Sequence, residues 1–441
     1  MGHMLAKKWI YEFPYIFLAI LIVSFLSTHS PNLELDVDPS YLLFGAARPP
    51  MYPLFIAAFH WAGRYQFEII MWVQGLLLFT TLLYTRSWLR KNLKIPDFLI
   101  FLITLIVILT IAFHFQIWFI QSEGLAFPFF ILTFFLVIEC FKKFHLKKLF
   151  YLSLWVSLLV LTRLQFYYFY GIFVILIIWY LWQRIGIKQI FYGILILFGS
   201  MFFTILADYS YHYYQHGTFS GTSYGGLMVL VQALYMAEDD AENYFRNPTE
   251  KAYVQSMITE RNIKQLNKDA NLIGPLKPSY LQKAHQSYSR NYLAIQKIID
   301  DTLNASIEKE INAAPNLKAN AVALKIDKVL ILHSLKKHVL FLLWKFITCM
   351  GGVPTFLFFL ILLLAIPFQI IRDKIHDPDL SLIFVAVITM ITFLNAAIIA
   401  ICNPDLPVYF CYSQFMFYCL AAFIVSRTFI KKDNHGKVSL D

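Results

Sequence analysis

Long apolar segments recur along most of the chain and are separated by short polar or basic stretches. Each segment is about 20 residues long, which as a helix is enough to cross the roughly 30 Å hydrocarbon core of a bilayer. The pattern therefore predicts an all-α polytopic membrane protein with about ten transmembrane helices. The predicted spans are residues 9–28, 68–88, 96–115, 122–141, 149–163, 166–183, 189–208, 354–371, 379–401 and 408–429.

Composition supports the membrane prediction. Of the 441 residues, 59% are hydrophobic and only 15% are charged, whereas a soluble domain carries about 25% charged residues. The net charge of +10 does not indicate nucleic-acid binding, because the basic residues cluster at the ends of the predicted helices. The first apolar run follows Lys7 and Lys8 and precedes no small-residue cleavage site, so we expect a retained helix rather than a signal peptide.

The distribution of basic residues predicts the topology. If the shorter apolar stretch 51–62 crossed the bilayer, the basic cluster 86–94 would share the outer side with the acidic loop around Asp36, against the positive-inside rule. If the stretch instead lies at the outer interface as a juxtamembrane helix, every basic cluster falls on the cytoplasmic side. These clusters are residues 7–8, 86–94, 142–148, 184–188, 372–374 and 431–432. We therefore expect a bacterial inner-membrane protein with cytoplasmic N and C termini.

The chain divides into three predicted parts. Residues 1–208 form a transmembrane module with a first outer loop at 29–67, and residues 338–441 form the C-terminal transmembrane helices. Between them, segment 209–337 carries mixed charges, helix-forming stretches at 249–268 and 281–313, and none of the five cysteines. The segment is predicted to be a helical extracytoplasmic domain without disulfides.

Residues suited to chemistry concentrate in the predicted outer loops. The carboxylates Asp36, Asp38 and Glu123 are candidate general bases for an acceptor hydroxyl, and Arg48 and Arg163 are candidate ligands for a phosphate. Each also has a structural interpretation. Asp38 suits a helix N-cap, Glu123 a helix dipole, and Arg163 a snorkelling position at the interface.

Aromatic and amide side chains near the same loops are candidate substrate contacts, because aromatic faces stack on the apolar faces of sugars. They suit an aromatic belt at the membrane interface equally well. The candidates are Tyr41, Tyr52, Tyr211, His212, Tyr412 and Gln414. His212 and His216 lie one helical turn apart, but no third ligand is evident, so no metal site and no cofactor is predicted. The sequence leaves assistance by a divalent ion open.

The order of these motifs resembles the GT-C superfamily of polyprenyl-phosphate-sugar-dependent glycosyltransferases. The motifs are the acidic loop after the first helix, Arg48-Pro49-Pro50-Met51-Tyr52-Pro53, Ser122-Glu123 and Leu161-Thr162-Arg163. The resemblance covers residues 1–208 and is nearest to the protein-mannosyltransferase-like and lipid A aminoarabinose transferase-like branches. It implies that an aspartate of the first outer loop is the catalytic base and that two juxtamembrane helices pack under the active site.

The resemblance leaves open which aspartate is the base. Relatives usually place the acidic residue four positions before the tyrosine, whereas Asp38 and Asp36 lie three and five positions before Tyr41. The resemblance implies inverting transfer of a sugar from a polyprenyl-phosphate donor to an envelope glycan, lipid or protein, as in lipopolysaccharide modification. The alternatives are a lipid-linked sugar transporter or flippase, an O-antigen polymerase or ligase, and a non-catalytic scaffold. A transporter would be expected to have broken helices with charges at mid-membrane in two corresponding halves.

The predicted topology is testable by cysteine labelling. Single cysteines placed at Lys91 or Lys147 should be protected from a membrane-impermeant thiol reagent in intact cells, because the positive-inside rule places both in the cytoplasm. Cysteines placed within segment 209–337 should react. External labelling at Lys91 or Lys147 would contradict the topology.

Overall fold

The computed structural model describes residues 2–33, 38–222, 225–274, 277–307, 315–402 and 407–428. In these ranges the chain forms α-helices joined by short turns and no β-strand. The helices are α1 (Gly2–Thr28), α2 (Asp38–Leu42), α3 (Met51–Ala57), α4 (Gln66–Trp88), α5 (Asp97–Val107), α6 (Glu123–Lys142), α7 (Leu146–Thr162), α8 (Tyr168–Trp182), α9 (Ile187–His216), α10 (Gly225–Met236), α11 (Pro248–Ile263), α12 (Pro278–Ile307), α13 (Pro315–His333), α14 (Leu335–Cys349), α15 (Val353–Arg372), α16 (Leu380–Cys402) and α17 (Pro407–Thr428).

Within the described residues, eight helical segments are long and apolar enough to cross a membrane. They are His60–Leu93, Asp97–His114, Glu123–Lys142, Leu164–Trp182, Ile187–His216, Val353–Arg372, Leu380–Ile401 and Phe410–Thr428. The other two predicted spans are also helical, as α1, which has 27 residues, and α7, which has 17 residues. The polytopic helical architecture is confirmed, and the count of ten stays a prediction.

The ambiguous stretch 51–62 forms only a short helix. α3 has seven residues, which at 1.5 Å per residue is roughly 10 Å and too short to cross a bilayer. Its Tyr52 and Ile56 side chains are buried, whereas Trp61 in the following turn is exposed. This geometry agrees with a juxtamembrane position.

A buried arginine joins three helices at one end of the bundle. Arg86 of α4 holds the Asp97 carboxylate of α5 through Nε and Nη2, each at 2.9 Å, and its Nη1 lies 2.8 Å from Glu12 of α1. Its guanidinium also stacks on the Tyr15 ring at 3.7 Å. Carboxylates therefore neutralise the charge that this helix end carries.

Other contacts bring further basic clusters to the same end. Trp88 Nε1 donates to Glu139 at 2.9 Å, and Glu139 pairs with Lys148 at 2.9 Å. Lys142 pairs with Asp377 at 2.6 Å, and Trp182 Nε1 donates to the carbonyl of Ile375 at 3.1 Å. Stretches 86–94, 142–148, 184–188 and 372–374 thus lie at one end of the bundle. That this end faces the cytoplasm stays a prediction.

A second hydrophobic core forms between α10, α11, α12, α13 and the first half of α14. Its fully buried members include Leu230, Ile298, Ala323 and Phe341. The helices cross both predicted boundaries of segment 209–337, because α9 continues to His216 and α14 contains residue 337. α14 supplies Phe341 to this core and Cys349 to the transmembrane core, so it joins the two.

Polar contacts fix the helix ends of the second core. Asn247 caps α11 by accepting a hydrogen bond from the Thr249 N–H at 2.9 Å, with Pro248 at the first helical position. Arg261 is fully buried, and its Nη1 donates to the carbonyls of Leu234 at 2.6 Å and Ala237 at 2.8 Å. Burial lowers the pKa of Arg261 to about 10, so it remains charged at pH 7 and stabilises the C-terminal end of α10.

Asp327 of α13 is a buried carboxyl in the second core. Only 4% of its surface is exposed, and neither carboxyl oxygen has a hydrogen-bond partner among the described residues. Because burial disfavours the charged form, the pKa of Asp327 rises from 3.8 to about 8. The carboxyl is thus mainly protonated at pH 7.

This raised pKa predicts how stability depends on pH. Between pH 3.8 and about 8 the folded state holds a proton that the unfolded state has lost, so the free energy of unfolding should fall as pH rises. The decrease is up to about 1.4 kcal/mol per pH unit. The measurement is thermal unfolding of the purified wild type and of Asp327→Asn at pH 5, 6 and 7. The stability of the variant should fall less steeply as the pH rises, because the variant lacks the titrating carboxyl.

The matched control is Asp240→Asn, because Asp240 is an exposed carboxylate of the segment between α10 and α11. Its pH dependence should follow that of the wild type. The same pH slope in Asp327→Asn and the wild type would show that the Asp327 carboxyl does not carry the raised pKa.

Candidate functional site

A cavity of about 330 Å³ opens at the end of the bundle opposite Arg86. It lies beside the first residues of α6, whose other end carries Lys142. Its walls come from the first outer loop, the turn before α6, the turn after α7, and from α10 and α16. The lining residues are Tyr41, Ala47, Arg48, Pro49, Ser122, Thr162, Arg163, Leu164, Gln165, Tyr167, Gly225, Met228 and Ile398.

Arg48 is held against α2 at the wall of the cavity. Its Nε donates to Ser40 Oγ at 2.8 Å, and its Nη1 donates to the Tyr41 hydroxyl at 3.3 Å. The guanidinium also lies 4.4 Å from the centroid of the Tyr41 ring. Hydrogen bonds and a cation–π contact therefore orient this arginine before any ligand is present.

A chain of hydrogen bonds leads from Arg48 into the start of α6. The Tyr41 hydroxyl lies 3.0 Å from Ser122 Oγ, and Ser122 Oγ donates to Glu123 Oε2 at 3.3 Å. If each hydroxyl donates toward Glu123, every acceptor in the chain has one donor, and the chain ends on the carboxylate. Such a chain is reinforced in a site with little water.

Glu123 also forms an ion pair with Arg163, which brings the two predicted residues together. Their side chains are 7% and 11% exposed. Glu123 lies in the first turn of α6, where the helix dipole favours a negative charge, and Arg163 caps the C-terminal end of α7. With Arg48, the three side chains carry one excess positive charge, which suits an anionic ligand.

Tyr52 supports the cavity wall from behind. Its hydroxyl accepts a hydrogen bond from Gln74 at 3.0 Å, and its ring meets the Tyr41 ring edge-on with centroids 5.0 Å apart. Tyr52 is fully buried and is not among the lining residues. It positions Tyr41 and does not line the cavity. From the sequence alone, Tyr52 is a candidate for direct contact with the substrate.

Tyr211 and His212 lie on α9, away from the cavity lining. His212 Nε2 lies 3.1 Å from Thr222 Oγ1 and 3.4 Å from the Asp208 carboxylate. Asp208 also accepts hydrogen bonds from the Thr222 hydroxyl at 2.7 Å and the Thr222 N–H at 2.8 Å. These contacts fasten the turn after α9, and Tyr211 packs near the Phe44 ring at 6.5 Å.

Tyr412 and Gln414 of α17 are also outside the cavity lining. The Tyr412 ring is buried against Phe166 and Phe130, with centroids 4.9 and 5.0 Å apart. The Gln414 amide donates to the Tyr418 hydroxyl one turn along the same helix. The structure thus places both side chains in helix packing.

The predicted bases in the first outer loop are only partly described. Asp36 lies outside the described residues, and Asp38 is described by its backbone, as the first residue of α2. Position 38 is three residues before Tyr41, so it lies about one helical turn from the cavity wall. Their assignment as bases stays a prediction.

No group of three or more His, Cys, Asp or Glu side chains able to hold a metal occurs among the described residues. The His212 and His216 rings stack with centroids 5.4 Å apart, and the contacts of His212 are with Asp208 and Thr222.

The sequence prediction assigned no role to Gln165, which lines the cavity beside Arg163, or to the two residues that α10 contributes, Gly225 and Met228. Gln165 was adjacent to a recognised motif, and this adjacency was the available signal. Gly225 and Met228 belong to the predicted extracytoplasmic segment. Nothing in their local sequence indicated that they lie against the first outer loop.

The fold and the apolar helices define the class: the chain is a multi-pass helical membrane protein that associates with a lipid bilayer. Comparison with protein-family models, with curated proteins and with solved structures finds no match. The function is therefore argued from the cavity and the sequence motifs.

The two arginines predict phosphate binding that is testable on a lipid phosphate. Arg48→Ala should weaken binding of undecaprenyl phosphate in lipid nanodiscs roughly 10- to 100-fold, because charge-assisted hydrogen bonds are lost. Arg48→Lys should recover only part of the affinity, since an ammonium lacks the planar fork. Arg163→Lys should also bind poorly, but Arg163 additionally neutralises Glu123, which makes Arg48 the cleaner test.

The matched control is Arg64→Ala. Arg64 belongs to the same outer loop but is exposed and stacks on Tyr65 outside the cavity. It should bind the lipid phosphate like the wild type. Unchanged affinity in Arg48→Ala would remove Arg48 from the binding site.

Proposed function

We propose that the protein is a membrane glycosyltransferase that moves a sugar from a polyprenyl-phosphate donor to a hydroxyl on an envelope glycan, lipid or protein. The observation that carries the proposal is a cavity that both Arg48 and Arg163 line. Hydrogen bonds and an ion pair through Tyr41, Ser122 and Glu123 connect the two arginines. An excess positive charge at a membrane interface suits the phosphate of a lipid whose chain remains in the bilayer.

The arginines suit the leaving group of a direct displacement. As the acceptor oxygen bonds to the anomeric carbon, the bond from that carbon to the phosphate oxygen breaks, and negative charge grows on the departing polyprenyl phosphate. Arg48, pre-oriented by Ser40 and Tyr41, stabilises that charge without reorganising. One displacement inverts the anomeric configuration.

The acceptor hydroxyl must lose its proton during this step. Asp36 or Asp38 is proposed as the base that takes the proton, because position 38 lies at the start of α2, next to the cavity wall formed by Tyr41. Glu123 is the next candidate. Its ion pair with Arg163 suits it better to balancing charge than to accepting a proton.

The positions of two buried charges, Arg86 and Glu123, favour transfer over transport. Arg86 and Glu123 lie at helix ends, whereas a transporter is expected to place charges on broken helices at mid-membrane. The cavity likewise lies at one end of the bundle. A substrate bound there is exposed to one side of the membrane.

The proposal is tested by assaying donor turnover. Purified protein with an envelope fraction as acceptor should release undecaprenyl phosphate from undecaprenyl-phosphate sugars, tested across pentose, aminopentose, hexose and N-acetylhexosamine donors. Asp38→Asn and Asp36→Asn keep the shape of the side chain but remove the proton acceptor. Loss of the true base should lower turnover roughly 10²- to 10⁴-fold with little change in donor affinity.

Loss of turnover in the double variant, with correct insertion and an unchanged thermal unfolding midpoint, would separate an enzyme from a scaffold. Asp301→Asn, which changes an exposed carboxylate of α12, is the matched control and should keep full turnover. Full turnover in both single variants and in the double variant would exclude the first-loop aspartates and make Glu123→Gln the next test. Absence of turnover with every donor in the wild type would contradict the proposed function.

A further inference from the structure

Gln165 lines the cavity, and its side-chain amide forms no hydrogen bond with the described residues. Only 8% of its surface is exposed, and neither its amide nitrogen nor its amide oxygen has a hydrogen-bond partner among the described residues. Buried amides are almost always paired, so an unpaired one in a cavity wall indicates a partner that enters the cavity. The amide requires both an acceptor and a donor from that partner.

The position of Gln165 is fixed by its neighbours in the chain. It lies in the short turn Leu164–Tyr167, which the Phe166 N–H closes by donating to the Arg163 carbonyl at 3.2 Å. The Phe166 ring is fully buried and packs on Tyr412. A turn anchored in this way presents Gln165 at a set place in the wall, two residues from the arginine proposed to bind phosphate.

We propose that Gln165 is a specificity-determining residue that hydrogen-bonds the hydroxyl groups of the transferred sugar. A hydroxyl both donates and accepts, so two neighbouring sugar hydroxyls satisfy the carbonyl and the NH₂ of one amide. In the donor the sugar is bonded directly to the phosphate. Gln165 is two residues from Arg163, at most about 7 Å along the chain. It is therefore within reach of the sugar when the phosphate lies at Arg163.

The charges of the cavity assign different parts of the donor to different residues. Arg48 and Arg163 are cationic and suit the phosphate, whereas Gln165 is neutral and cannot contribute to charge recognition. Removing the amide should therefore leave binding of a lipid phosphate intact and affect only ligands that carry a sugar. This inference rests on the proposed function, and the two are distinguished by comparing ligands with and without the sugar.

The test measures the affinity of the full-length protein in nanodiscs for undecaprenyl phosphate and for undecaprenyl phosphates carrying an aminopentose, a hexose or an N-acetylhexosamine. The wild type should bind one sugar-bearing ligand more tightly than undecaprenyl phosphate. Gln165→Met keeps the length of the side chain but has no amide. It should bind undecaprenyl phosphate normally and the preferred sugar-bearing ligand roughly 5- to 50-fold more weakly, the loss of one or two hydrogen bonds from a buried site.

Thermal unfolding without ligand distinguishes recognition from a structural role. Gln165→Met should unfold at the wild-type temperature or above it, because the substitution removes buried polar atoms that have no partner. A structural glutamine would instead give a lower unfolding temperature. The matched control is Gln189→Met, at an exposed position near the start of α9, which should change neither the affinities nor the unfolding temperature.

The outcomes separate the inference from the function on which it rests. If the wild type prefers a sugar-bearing ligand and Gln165→Met keeps the same preference, the role of Gln165 is overturned and the proposed function stands. If the wild type binds no ligand of the set, or shows no preference for any sugar, the proposed donor is wrong and the inference falls with it.

Discussion

The ion pair between Glu123 and Arg163 determines how the other residues at the cavity end of the bundle can be placed. α6 is the most enclosed of the candidate membrane helices, with 83% of its membrane-length window buried, and it begins with a carboxylate. A charge at that position requires a partner on an adjacent helix. Arg163, at the end of α7, supplies it, and a second pair between Glu139 and Lys148 joins the same two helices at their other end.

These two ion pairs fix the register of the α6–α7 hairpin. Glu123 and Glu139 are roughly 24 Å apart along α6, and Lys148 and Arg163 are roughly 22 Å apart along α7, at 1.5 Å per residue. The near equality allows both pairs to form in one antiparallel arrangement. A shift of one turn would leave charges unpaired at both ends. Ser122 and Gln165 acquire their positions at the cavity as a consequence of this register.

The sequence predicted the features that depend on long, repeated patterns. The long apolar segments predicted the membrane helices, and the positive-inside rule predicted that the basic clusters share one side. In the structure, contacts of Arg86, Glu139 and Asp377 hold these clusters at one end of the bundle. The sequence also predicted that Arg48, Glu123 and Arg163 lie near one another, because loops on one side of a bundle meet at the same end. The roles of Tyr52, His212 and Tyr412 were not predictable, since a tyrosine or histidine at an interface has the same local sequence whether it lines a cavity or packs behind it. Only the contacts with Gln74, Asp208 and Phe166 distinguish the two cases.

The least predictable part of the site is the wall that α10 contributes, because it depends on packing inside the second core. Asn320 of α13 accepts hydrogen bonds from the backbone N–H groups of Gly226 at 2.9 Å and Leu227 at 3.4 Å, and so caps the start of α10. A Cβ at position 226 would lie 2.8 Å from the Asn320 carbonyl oxygen, so the close approach of the two helices requires glycine there. Because Gly225 and Met228 flank this contact and line the cavity, α13 positions the wall without touching the cavity. The second core is thus part of the construction of the site, and a change in α13 alters the cavity through α10.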